Sequence, residues 1–160
     1  MHYTIAVFAA CLLVGLGGAN AAAQDKPLKK SDLPAAVLKT AEEESKGAVV
    51  RGYSSETENG QLEYEIALTV HGRSRDVSIA ADGSIIEIEE SVALDSLPAV
   101  VREGLHRQAG AGKITKVESI TKHGTIVAYE AQLRTGANRS EVQVGPDGKP
   151  LIPRSRPASP

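Results

Sequence analysis

The stretch from Leu62 to Val70 reads LEYEIALTV, so that Leu62, Tyr64, Ile66, Leu68 and Val70 share one face while Glu63, Glu65, Ala67 and Thr69 share the other. Alternation with period two marks a strand with one buried face. The following stretch, RDVSIAADGSIIEIEE, continues the pattern: Val77 and Ile79 point inward, Asp82-Gly83 marks a tight hairpin, and Ile86 and Ile88 return. Ahead of these strands the spacing becomes helical. Val37, Leu38 and Ala41 recur behind Pro34, which suits a first helical turn, with Asp32 near the cap and Gly47 closing the run. The pattern predicts one amphipathic helix followed by four antiparallel strands.

The chain then says this again. SDLPAAV begins at Ser31 and DSLPAVV at Asp95, and superposing Leu33-Pro34 on Leu97-Pro98 sets an offset of 64 residues. Val37 falls on Val101 and Gly60 on Gly124. One inserted residue near Gly124 then makes the offset 65, which aligns Tyr64-Glu65 with Tyr129-Glu130, Leu68 with Leu133, and Asp82-Gly83 with Asp147-Gly148. The second helix carries Val101, Leu105 and Ala109 and stops at Gly110. The expected fold is α+β: two tandem copies of a helix followed by a four-stranded antiparallel meander, with the helices packed on one sheet face. Each copy, at about sixty residues, is marginal for a core of its own, so the halves lean on each other.

The predicted organisation is a leader over 1–23, a linker over 24–31, a first repeat over 32–90, a second over 91–152 and a loose tail over 153–160. The leader rests on an apolar run from about Ile5 to Gly18 followed by Ala21-Ala22-Ala23, which reads as a cleavage site. At about fourteen residues the run is shorter than the roughly twenty a membrane span needs. Cys11 lies inside the leader and is the single cysteine, so a chain cleaved after Ala23 has no disulfide, thiolate nucleophile or cysteine ligand. An exported protein without disulfides suits a bacterial envelope, periplasmic or secreted. The tail, IPRSRPASP, is proline-rich and without apolar periodicity.

Composition narrows the chemistry. The chain has 160 residues, 41% hydrophobic and 24% charged, as a soluble globular protein does, with a formal net charge of −2 and 3% aromatic residues. Nothing tracks a phosphate backbone or stacks on bases, so nucleic acid is excluded as a partner. His71, His106 and His123 fall in no metal-binding or catalytic spacing, and no G-x-S-x-G elbow occurs. GAGKI at Gly110 lacks the remaining residues of a phosphate loop and reads as a helix end. Neither catalytic residues nor cofactors are predicted, and the chain is read as no enzyme.

Carboxylates are the exception. With Leu62, Tyr64, Val77, Ile79, Ile86 and Ile88 inward, Glu63, Glu65, Asp76, Glu87 and Glu89 all point to the opposite face and form a candidate binding patch. The second copy is diluted at these places by Ala128, Glu130, Gln132, Glu141 and Gln143. Like charges opposed across strands cost stability, which points to a basic partner or a cation. Arg73, Arg75 and Lys or Arg from loops are the expected relief. Glu42-Glu43-Glu44 reads as the wet face of the first helix.

The export signal, the tandem helix and meander, the LPxxV helix start, the Tyr-Glu pair and the Asp-Gly hairpin together resemble the PepSY-like family over roughly residues 32–152. That family shares its fold with the secreted beta-lactamase inhibitory proteins. The resemblance implies an envelope protein that binds a protein or peptide, with peptidase inhibition or modulation as the usual role, and implies no catalytic residues. Tight inhibitor interfaces use buried aromatic anchors, whereas the chain after Ala23 has only Tyr53, Tyr64 and Tyr129. The preferred expectation is an exported binding module acting through its exposed sheet face. The alternative is a cation-responsive periplasmic protein using the same acidic face, although no D-x-D-x-D-G loop is present.

Overall fold

A computed structural model describes residues 26–151 apart from residue 59. The expected leader and tail lie outside the described residues. The elements are β1 (Lys26–Leu28), α1 (Ala35–Glu44), β2 (Val49–Glu58), β3 (Gln61–Val70), β4 (Arg73–Ala80), β5 (Ile85–Ser91), α2 (Ala99–Ala109), β6 (Lys113–Lys122), β7 (Thr125–Thr135) and β8 (Asn138–Val144). All eight strands form one antiparallel sheet in chain order. Both helices start one residue after their proline, and Asp32 accepts from the Lys29 N–H at 2.9 Å in the short turn before α1.

This arrangement overturns the expectation of two tandem helix-plus-four-strand units. The described residues form a single eight-stranded sheet with two short α-helices, because β5 pairs directly with β6, Ile88 opposite Thr121 and Ser91 opposite Glu118. A meander ends in a strand with one unpaired edge, and pairing the two edges satisfies both. Two further departures accompany it. Lys26–Leu28, in the expected linker, adds an edge strand against Tyr53–Ser55. After Asp147-Gly148 the expected fourth strand shrinks to one bridge, Pro150 opposite Val144, with the Leu151 N–H donating to the Gln143 carbonyl at 3.1 Å. Proline brings no N–H with which to extend a ladder.

Both helices cover the same face. Val37 and Ala41 of α1 pack with Leu33, Ile66, Leu68, Val77 and Ile79, while Val101 and Leu105 of α2 pack with Leu97, Val117, Tyr129, Leu133 and Val144. Burying these side chains is the main driving force for folding, at roughly 1.5–3 kcal/mol for each fully buried aliphatic. A bulge at Ser78/Ile79 makes Ile85 rather than Ile86 the partner of Ile79, correcting the inward set by one residue. His71 and His123, both with φ of 50°, occupy exposed hairpin tips at opposite ends of the sheet, each followed by a glycine.

The repeated Asp-Gly turns have a packing role that their hairpin reading misses. Each presses its glycine onto the first turn of a helix: a Cβ on Gly83 would lie 2.8 Å from the Ala36 carbonyl oxygen, and one on Gly148 would lie 2.0 Å from that of Val100. Gly104 of α2 faces the same turn, where a Cβ would meet the Gly148 oxygen at 2.2 Å. Thr40 donates to the Gly83 carbonyl at 2.7 Å and fastens the first of these contacts. Gly148→Ala is expected to cost roughly 3 kcal/mol in urea unfolding through backbone collision. Gly136→Ala, at a positive φ but with open space around it, should cost only about 1 kcal/mol.

Candidate functional site

The face opposite the helices is left open, and strand alternation decides what stands on it. From β3, β4 and β5 come Glu63, Glu65, Asp76, Glu87 and Glu89, and all five line one shallow concavity of about 90 Å³ together with Glu56, Ser78, Ile86 and Lys122. The registers explain the gathering: Glu56 is opposite Glu63, Glu65 opposite Ser78, Ser78 opposite Glu87, and Asp76 opposite Glu89. The five predicted residues are therefore neighbours.

The second half extends this field. Because β5 pairs with β6, Glu118 comes beside the β5 carboxylates, opposite Glu130, which is opposite Gln143. Glu141 follows on β8, opposite Gln132. Glu118 is only 5% exposed and Glu63 only 9%, so this is not a uniformly solvated surface. Small apolar residues lie among the acids, with Ala67 opposite Asp76 and Ile120 opposite both Glu89 and Ala128. A buried carboxylate next to apolar carbon loses hydration that its neighbours cannot replace.

Three cations are threaded into the field. Arg51 reaches it from the bulge between Val50 and Gly52, holding Asp76 at 2.5 Å and donating through Nε to the Leu68 carbonyl at 3.0 Å. Lys116 meets Glu118 at 2.6 Å, and Lys122 meets Glu87 at 2.6 Å. Gln143 donates to Glu130 at 2.6 Å. Arg73 and Arg75, expected to relieve these charges, stand on the helix side instead. Arg75 binds Glu44 at the end of α1 at 2.7 Å and Glu90 at 3.4 Å. At the far corner of the open face, Lys113 is opposite Arg134 and Arg134 opposite Arg139, all exposed. The face is therefore dipolar, an acidic field with a basic corner.

Protons complete the balance. Burial, then the charges of Glu87 and Glu118, a hydrogen bond with Glu87 and the charge of Glu130 push the Glu89 carboxyl up to about 9. Burial raises Asp76 despite the opposing pull of Arg51. It raises Glu130 against the hydrogen bond from Gln143, and carries Glu141 to about 6 with help from Glu130 and Glu118. Among the described residues no three His, Cys, Asp or Glu side chains are grouped to hold a metal ion. The arrangement keeps protons on carboxyls at pH values where an ordinary carboxyl has lost them.

Sequence reasoning missed Glu56, Glu118, Arg51, Lys116 and Lys122. Alternation could have placed Glu118 opposite Val117 and Ser119 in facing, but its neighbourhood depends on the β5–β6 pairing. Arg51 reaches this face through a bulge, which Gly52 inside the strand could have signalled.

No protein-family model matches the chain, and no curated protein matches it. Solved structures do. A protein of Bacteroides eggerthii assigned to the periplasm superposes with a TM-score of 0.62 at 15% identity, over 75% of this chain and 86% of the other. A DUF2874 family protein of Bacteroides ovatus gives 0.60 at 15% identity, over 75% and 85%. A BLIP-like protein of Bacteroides fragilis gives 0.56 at 14% identity, over 74% and 84%. At these identities the likeness is one of fold. Among the described residues no helix is long and apolar enough to cross a membrane.

The proton balance sets the pH dependence of stability. Between the ordinary value of 4.5 and about 9, the folded chain keeps a proton on Glu89 that the unfolded chain has released. Stability therefore falls as pH rises through this window and levels off above it, with Glu141 contributing between 4.5 and about 6. Asp82, lowered by its hydrogen bonds from Ser84, acts only on the acid side of 3.8. The urea midpoint should be higher at about pH 5 than at about pH 9, and Glu89→Gln should flatten the difference.

Proposed function

We propose that this chain is a non-enzymatic binding module of the periplasm that takes a basic protein or peptide on its open sheet face. A modulator or inhibitor of an envelope peptidase is the role this reading favours. The observation that carries it is the crowding of Glu56, Glu63, Glu65, Asp76, Glu87 and Glu89 into one concavity that the helices leave uncovered. A surface shaped only by solvation would spread like charges apart, since opposed carboxylates destabilise a sheet. Holding them together costs folding stability, and a cationic partner would offset part of that cost by adding positive charge to the field.

The fold supports the same reading. Its likeness extends to a BLIP-like protein and to a protein assigned to the periplasm, and both fit an exported module without a catalytic constellation. The basic corner at Lys113, Arg134 and Arg139 gives the face a direction, so a partner carrying both signs would bind in one orientation. Large aromatic anchors are few, so affinity would rest on charge and would weaken with salt.

A crosslinked capture from envelope extract tests this reading, using residues 24–160 beside a variant with Glu63, Glu65, Glu87 and Glu89 changed to Gln. The expected result is a basic partner held by the natural chain, released by added salt and lost with the variant. Gln keeps the shape of each side chain while relieving the repulsion, so the variant should remain folded. Equal capture by both chains would move the site off this face.

A further inference from the structure

The sheet is continuous, but the core beneath it is not. Val37, Leu68 and Val77 belong to one apolar cluster under α1, and Val101, Leu105 and Tyr129 to another under α2. Between the clusters the helix-side positions turn polar, with Glu90 opposite Ser119. The strand pairing that joins the halves covers only Ile88–Ser91 against Glu118–Thr121, extended by the Val92 N–H donating to the Val117 carbonyl at 2.9 Å. Every other interior ladder is longer: β3–β4 runs unbroken from Glu63 to Val70. Two compact halves are thus joined by a short backbone seam, where Ile88 packs on the α1 cluster, Val92 on the α2 cluster, and the polar pair Glu90 and Ser119 lies between them.

Charge is concentrated on both sides of that seam. On the first side stand Glu87 and Glu89 of β5, Asp76 of β4 with Arg51 from β2, and Glu65 of β3. On the other stand Lys116, Glu118 and Lys122 of β6, Glu130 of β7, and Glu141 with Gln143 of β8. The Lys122–Glu87 ion pair crosses the seam at 2.6 Å. On the helix side, Arg75 draws Glu44 and Glu90 together within the first half.

We infer that the β5–β6 seam is a hinge: carboxylates crowd both of its sides, and when their mutual repulsion grows the seam opens before the rest of the sheet. The shortest interior ladder and a crowd of carboxylates coincide, so added repulsion acts where few backbone pairs hold the two halves together. Each half keeps its helix and its own cluster, so opening separates two packed bodies rather than dissolving them. The elevated value of Glu89, about 9, puts the transition on the alkaline side of neutrality. The hinge rests on packing and register and does not depend on what the open face binds.

Amide hydrogen exchange on the full chain tests it, at about pH 6 and about pH 10, with the intrinsic base-catalysed rise in exchange divided out. The expected result is a loss of at least about tenfold in protection for amides that donate across the seam, Val92 among them, relative to amides within β3–β4 and β7–β8. Glu89→Gln should abolish the excess loss, and Glu118→Gln, which removes a charge from the other side, should reduce it. Uniform loss across all ladders in the natural chain overturns the hinge without recourse to a variant. So does an excess loss that persists unchanged in a folded Glu89→Gln chain.

Discussion

An antiparallel meander leaves a row of unpaired N–H and C=O groups along each outer strand, and this chain meets that constraint by joining β5 to β6. Much else follows from the join. Two short half-sheets become one surface of eight strands, and the helices that cover each half come to lie on a common face. The opposite face is left open along its whole width. The acidic positions of the two halves, separate along the chain, become neighbours across a seam.

That seam is also where the energetic balance is least comfortable. Ordinary sheet surfaces solvate their charges, but Glu63 and Glu118 are largely buried and Asp76 stands opposite Glu89. Arg51, Lys116 and Lys122 neutralise part of the field, and retained protons neutralise more, with Glu89 held up to about 9 by burial and by Glu87. The protein therefore tolerates a crowding of like charges that is unfavourable for folding.

The parts legible in the sequence were those set by local periodicity. LEYEIALTV became β3 with Tyr64, Ile66 and Leu68 toward the helix, and Glu63 and Glu65 on the open face. The LP starts became helix starts at Ala35 and Ala99. Where reading failed, a non-local effect intervened. The Ser78/Ile79 bulge exchanged Ile86 for Ile85, and Pro150 ended the second meander early, whereas Arg75 lies on the helix side by the same alternation that turns Val77 and Ile79 inward. The Asp-Gly turns were recognised as turns, but their closeness to Ala36 and Val100 was not visible.

By itself, the sequence determined which side chains share a face, since alternation and helical spacing are consequences of backbone geometry within a few residues. It also determined that Glu63, Glu65, Asp76, Glu87 and Glu89 point the same way. Only the tertiary structure decided that there is one sheet rather than two, and hence that Glu118 and Glu130 join that patch and Lys122 reaches across to Glu87. Pairing between β5 and β6 links strands separated by a whole helix. It is chosen by the free energy of satisfying two distant edges at once, a quantity that no local window of residues contains.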